Sequence, residues 1–117
     1  MRARIVSGSG HVLADRARWA MSGPERRKGL IGSAPLETGE GLILDRAYQV
    51  HTFRMSWPID VLFCSRDWEV RHVIRSMVPG RMSKFVLGGR YAIELPAGTL
   101  PSGMARGDRL IVENLPD

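Results

Sequence analysis

The sequence predicts a mainly β protein: a compact, antiparallel β-sandwich or barrel-like single domain with one short α-helix. Three observations carry that expectation. Turn signals recur at short intervals, at Ser7-Gly8-Ser9-Gly10, Gly39-Glu40-Gly41, Pro79-Gly80, Gly88-Gly89, Pro96-Ala97-Gly98, Ser102-Gly103 and Arg106-Gly107-Asp108. The runs between them are short and often β-branched, the pattern of sandwiches and barrels. One segment alone carries both start and stop signals for a helix.

Taken in order, weaker strands are expected near Ala3–Val6 and His11–Ala14. Ser22 then caps a helix that opens on Gly23-Pro24-Glu25, with proline in the first turn and Glu25 favourable to the helix dipole. Gly32 is the natural stop after Arg26-Arg27-Lys28-Gly29-Leu30-Ile31. Another weak strand falls near Leu42–Leu44.

The clearest strands are Ile59–Ser65 and Glu69–Met77, joined by Arg66-Asp67-Trp68 as a hairpin connection. Alternation places Val70, His72 and Ile74 on one face, with Glu69, Arg71, Val73 and Arg75 opposite. In Tyr91–Leu95, Tyr91, Ile93 and Leu95 share a face and leave Glu94 on the other. Arg109–Glu113 closes the list of strands, with Leu110 and Val112 on one side. Ser102–Ala105 forms a short turn, and Gly107-Asp108 another in which Asp108 bonds nearby amides.

The chain has 117 residues, enough for one domain over 1–117 that buries about two-thirds of its unfolded surface without staples. An apolar fraction of 44% and a charged fraction of 25% exclude a disordered chain. No apolar run approaches the roughly 20 residues that span a bilayer, so no membrane partner is expected. The first residues lack the apolar core of a secretory signal, and the expected location is cytoplasmic. Cys64 is the single cysteine, which rules out an internal disulfide and a multi-cysteine zinc site. Within Val-Leu-Phe-Cys it reads as a buried, inert thiol.

The most informative stretch runs from Gln49 to Phe63. Pro58 cannot donate to a sheet ladder and so marks a strand entrance. Asp60 lies two residues inside an apolar run, where an unpaired charge is costly, so its carboxylate needs a partner. Asp60 and Glu94, on neighbouring strands, are candidates for general acid and base, as in glycosidases. The structural alternative has Asp60 accepting amides at the turn after Pro58 and Glu94 pairing with Arg54 or Arg90. His51, Phe53 and Met55 share an alternating face and could line a pocket with Asp60 and Glu94. Two histidines, His51 and His72, with a carboxylate would suffice for a metal, but no spacing matches a metal motif, so no metal and no cofactor are expected. Gly39-Glu40-Gly41 lacks the lysine and following helix of a phosphate loop and reads as a turn.

Trp57 beside Pro58 and Trp68 at the hairpin tip are candidate aromatic contacts for a sugar or a partner protein, or lids on the core. The formal net charge is +5, and all but Lys28 and Lys84 of the 17 cations are arginine. From Val70 to Ile93 there is no acid, and Arg71, Arg75, Arg81, Lys84 and Arg90 are candidate anion contacts or a solvated rim. No RNA- or DNA-binding signature accompanies them.

Five segments in order then carry a likeness to a known family. They are Pro24-Glu25-Arg26-Arg27-Lys28-Gly29-Leu30-Ile31-Gly32, Gly39-Glu40-Gly41-Leu42, and Phe53-x-Met55-x-x-Pro58-Ile59-Asp60-Val61-Leu62-Phe63. Tyr91-x-x-Glu94-Leu95-Pro96-Ala97-Gly98 and Gly103-x-x-x-Gly107-Asp108 complete the set. From about Ala20 to Glu113 the chain resembles the prokaryotic family called Domain of Unknown Function 192. The resemblance implies a compact, mostly β, sandwich-like domain without an assigned activity. Many relatives carry an aromatic followed by Trp, Met and Lys-Asn where this chain has Thr52-Phe53-Arg54-Met55-Ser56-Trp57, and many are exported.

Three functions follow as expectations. The first is a small non-catalytic binding or accessory domain that presents a groove to a small ligand or a protein. The second is a hydrolase using Asp60 and Glu94, with sugars as one substrate class. The third is weak nucleic-acid binding through the basic stretch.

Overall fold

A computed structural model describes residues 1–116. Its strands are β1 (Arg2–Ser7), β2 (Val12–Ala20), β3 (Glu40–Asp45), β4 (Ile59–Cys64), β5 (Val70–Met77), β6 (Tyr91–Pro96) and β7 (Leu110–Asn114), with one helix, α1 (Gly23–Lys28), between β2 and β3. They form a single curled sheet in the order β5-β4-β6-β3-β2-β1-β7, a half-barrel. At one end the two outer strands approach each other. Val70 N donates to Asp108 O at 2.7 Å, Gly107 N to Val70 O at 2.8 Å and Leu110 N to Trp68 O at 3.0 Å.

The curl follows from irregularities in the ladders. β2 is longer than the sequence suggests, because a register shift lets it serve two neighbours. Where Asp15 and Arg16 bulge away from β1, both amides turn to Gly39 O, at 3.0 Å each. The remainder of β2 then pairs with β3, from Arg16↔Glu40 to Ala20↔Leu44. This pair is parallel, whereas the other strand pairs are antiparallel as expected. Parallel neighbours need a crossover. Residues 21–39, with α1, supply it.

α1 forms because Ser22 and Glu25 make a reciprocal capping box: Glu25 N donates to Ser22 Oγ at 3.1 Å, and Ser22 N to Glu25 Oε1 at 3.1 Å. Those bonds hold the Glu25 carboxyl below its usual range. The stop comes earlier than Gly32. Gly29, with φ 49° and ψ −122°, ends the helix, and two turns lead on from it.

Two apolar layers result. Ala3, Ile5, Ala17, Ile43, Leu62, Ile93 and Leu95 fill the inside of the curl. Leu42, Leu44, Met55, Ile59, Val61 and Phe63 pack on its outer face with Leu30, which follows α1, and with the segments around Val50 and Val86. β4 is therefore buried on both sides along its whole length. A second bulge changes one expected face. Phe63 pairs with His72 but Cys64 with Val70, so Arg71 is extra. Val70 and Val73 consequently face the inner layer, while Ile74 joins the outer one and His72 stacks on Phe63, with ring centroids 6.1 Å apart. The predicted grouping of Val70, His72 and Ile74 on one face is broken by that single residue.

Candidate functional site

Register separates the two carboxylates that the sequence places side by side. Asp60 lies opposite Leu95, and Val61 lies opposite Glu94. Cross-strand partners share a face, so Asp60 faces the inner layer with Leu95, and Glu94 the outer layer with Val61. The hydrolytic pairing of Asp60 with Glu94 is not made.

Asp60 is 1% exposed, and its oxygens are fully used. Oδ1 accepts from Ser76 N at 2.8 Å; Oδ2 accepts from Gly98 N at 3.1 Å and Leu100 N at 3.0 Å. Its partners are amides, as the structural alternative expects, but they come from the end of β5 and the loop after β6 rather than from the turn after Pro58. Asp60 thereby ties three distant segments together.

Glu94 is different. It lies between Leu42 and Val61 in the sheet, 4% exposed, with Oε1 buried and without a hydrogen-bond partner. Neither Arg54 nor Arg90 pairs with it; Arg90 instead binds Asp45, Nε to Oδ1 at 3.0 Å. Burial in this apolar layer pushes the Glu94 carboxyl up to about 7.

Above Glu94 lies a cavity of about 410 Å³. Arg26, Arg27, Gly29 and Leu30 of the α1 region form one wall, and residues from Arg46 to His51 form another, with Met55 and Phe85 completing it. Gly29 sits directly over the carboxyl, since a Cβ there would stand 3.8 Å from Oε1. Tyr48 and Phe85 stack on each other at 5.8 Å and are partly exposed at the cavity's margin. The two loop segments that carry them are held by backbone bonds, Thr52 N to Arg81 O, Ser83 N to Val50 O and Val86 N to Tyr48 O, each at 2.8 Å.

Of the residues proposed from sequence to line a pocket, His51, Met55 and Glu94 do so. Asp60 and Phe53 do not line it. Phe53 is exposed and stacks on His51 at 5.1 Å, and its amide donates to His51 Nδ1 at 3.3 Å. Sequence reasoning missed Arg26, Arg27, Gly29, Arg46, Tyr48 and Phe85. The capping box followed by two arginines and a glycine was the available signal for the first three.

The aromatic and basic candidates are mostly occupied internally. Trp57 packs on the outer layer with its Nε1 buried and unpartnered. Trp68, at φ 67°, stacks on Tyr91 at 4.0 Å and meets the edge of Trp19 at 6.1 Å. Both are the core lids foreseen as the alternative to free contacts. Arg75 donates to the carbonyls of Leu100, Pro101, Ser102 and Met104, and Arg71 pairs with Glu69 at 3.2 Å. Arg81 and Lys84 are exposed. The acid-free stretch is thus not one anion-binding patch. Burial and the nearby Lys84 charge lower the His72 pKa. Cys64 is fully buried, and burial pushes its thiol up to about 12, which removes it as a nucleophile. Asp108 Oδ2 accepts from Ala105 N at 2.9 Å, the amide contact expected of it.

The family model for DUF192, described as an uncharacterized ACR, matches residues 4–112. The chain belongs to the DUF192 family. The match extends the resemblance of residues 20–113 back through β1 and β2, so the whole curled sheet is the DUF192 unit. Two solved structures share the fold. One, described as a "putative transcription regulator" from Sinorhizobium meliloti, is 26% identical with a TM-score of 0.78, over 95% of this chain and 92% of that one. The other, a protein of unknown function from Novosphingobium aromaticivorans, is 23% identical with a TM-score of 0.77, over 95% of this chain and 84% of that one. No curated protein matches this DUF192 chain. No helix among the described residues is long and apolar enough to cross a membrane.

Proposed function

We propose that this DUF192 protein is a small non-catalytic binding domain that takes a small ligand into the cavity above β6. The observation that carries the reading is the buried, unpartnered Oε1 of Glu94 at the cavity floor. An unsatisfied buried polar atom costs about 1–3 kcal/mol, which a ligand donating to it recovers. The cavity volume of about 410 Å³ suits a small molecule. Asp60 is held by amides on the other face and the Cys64 thiol is buried elsewhere, so neither forms a reacting pair with Glu94.

The test is a thermal-shift screen of small metabolites, followed by amide chemical-shift mapping of every hit. A ligand of the folded state raises the melting point. Hits should perturb Gly29, Tyr48 and Glu94, and Glu94→Leu should abolish them. Hits that map only elsewhere on the sheet contradict the reading.

A second reading, nucleic-acid binding, is favoured by the exposed Arg46, Arg54, Arg81 and Lys84 on the loops that carry Tyr48 and Phe85. The description of the 26% identical Sinorhizobium meliloti neighbour points the same way. Anisotropy of a labelled oligonucleotide should then fall steeply between 50 and 200 mM salt, on the order of tenfold for each few phosphate contacts. No binding at low salt removes it.

A further inference from the structure

Resting on the small-ligand reading above, we infer that the cavity selects a zwitterion, a molecule with an ammonium at its inner end, an apolar body and a carboxylate or similar acid at its outer end. The geometry of three zones supports this. At the floor, the Glu94 carboxyl offers an acceptor with no protein donor, and the neighbouring side chains Leu42 and Val61 cannot supply one. Along the walls, Leu30, Leu44, Ala47, Val50 and Met55 provide apolar surface. Around the cavity stand Arg27 and Arg46, both exposed, and Arg26, whose Nη1 donates to Met21 O. Tyr48 and His51 are the other titratable side chains of the lining, and Glu94 is its one acid among the described residues.

Each simpler ligand satisfies only part of that arrangement. An amine alone meets Glu94 but brings a cation among three guanidinium groups. An acid alone meets the arginines but leaves Oε1 without a donor. A neutral apolar molecule fills the walls and satisfies neither end. A molecule charged at both ends, with an apolar spacer, matches all three zones.

Proton linkage follows from the same geometry. A bound ammonium favours ionised Glu94, whereas the empty cavity favours the neutral acid, because burial raises its pKa. Below about pH 7 the ligand must displace a proton, so its affinity rises with pH by up to about tenfold per unit and levels off above 7. Below that pH, binding releases a proton.

Four matched probes test the inference by calorimetry at pH 6 and pH 8: 6-aminohexanoate, hexylamine, hexanoate and 1-hexanol. The expected order places 6-aminohexanoate first by at least about tenfold, or 1.4 kcal/mol. Its affinity should be higher at pH 8, and Glu94→Gln should remove both its lead over hexanoate and its pH dependence. Hexanoate or hexanol binding as tightly as 6-aminohexanoate overturns the zwitterion inference while sustaining the small-ligand reading. The same holds if no probe binds but other molecules raise the melting point through Glu94. Failure of every small molecule to bind at the cavity overturns both. Arg27→Gln, on the exposed side of α1, offers a second variant that should weaken hexanoate and 6-aminohexanoate but not hexylamine.

Discussion

Asp60 and Glu94 stand one register step apart on adjacent antiparallel strands and face opposite sides of the sheet. That step gives two buried carboxyls opposite fates. Asp60 accepts three amide bonds at 2.8–3.1 Å and serves as a clamp on the fold. Glu94 has an oxygen with no donor and faces a cavity. Burial without a partner is a cost to stability, and its occurrence at the floor of an open volume is the ground for centring the proposed site on Glu94.

Removing the clamp should be expensive. Asp60→Ala leaves three amides, the buried Leu100 N among them, without their acceptor and is expected to destabilise the protein by about 3 kcal/mol. For a domain of this size that lowers Tm by roughly 10–20 °C. Asp60→Asn retains an acceptor oxygen and should lose less. Urea unfolding of the two variants checks the order, and a loss below about 1 kcal/mol for Asp60→Ala contradicts the clamp.

Glu94 should make the folded protein sensitive to pH with a definite sign. Its folded pKa of about 7 lies above the ordinary value of 4.5, so the folded state binds more protons than the unfolded state between those values. Stability therefore falls as pH rises from 4.5 to 7, by about 3 kcal/mol at full ionisation. Below 4.5 the contribution is complete and constant. Glu94→Gln should lack this slope, and the difference between wild-type and variant unfolding free energies across pH isolates it. A difference that is flat with pH contradicts the raised pKa.

The crossover between the two parallel strands is sensitive at its ends. Ser22→Ala breaks the capping box and should cost about 1 kcal/mol, together with affinity for any cavity ligand, because α1 forms a wall. At Gly41 a Cβ would stand 2.9 Å from Leu95 Cδ2 and 3.3 Å from Glu94 O. Gly41→Ala should therefore cost about 1–3 kcal/mol by overpacking. Thermal melts check both variants. A neutral Gly41→Ala means that the Leu95 side chain gives way.

Much of the frame was legible from local chemistry. Pro58 and the apolar run after it marked β4, the capping residues marked α1, and the demand of a buried charge for partners marked Asp60. What was not legible depends on contacts distant in sequence. The two hydrogen bonds that the Asp15 and Arg16 amides donate to Gly39 O, which turn β2 toward β3, have no local signature. The extra Arg71 that flips His72 looks like any other alternating residue until Phe63 and Cys64 define the register. The cavity draws on α1, the loop after β3 and the loop before β6, so alternation found His51 and Met55 but not Arg26, Tyr48 or Phe85.

Trp68 gives a further prediction. Its φ of 67° is a backbone region that suits glycine, yet the ring is held between Tyr91 and Trp19. Trp68→Ala should destabilise by about 2 kcal/mol through lost aromatic packing. Trp68→Gly should be no worse, because glycine relieves the backbone strain that alanine keeps. Chemical denaturation of the pair measures the difference, and a glycine variant weaker than alanine by 1 kcal/mol or more contradicts the strained hairpin.

The most direct measurement is a carbon-detected NMR titration of the Glu94 side-chain carboxyl in the ligand-free protein. A solitary acid beneath the cavity should titrate with a midpoint near 7. A midpoint near 4.5, that of an ordinary glutamate, would mean that Glu94 is solvated or paired, and the proposed anchor would be lost.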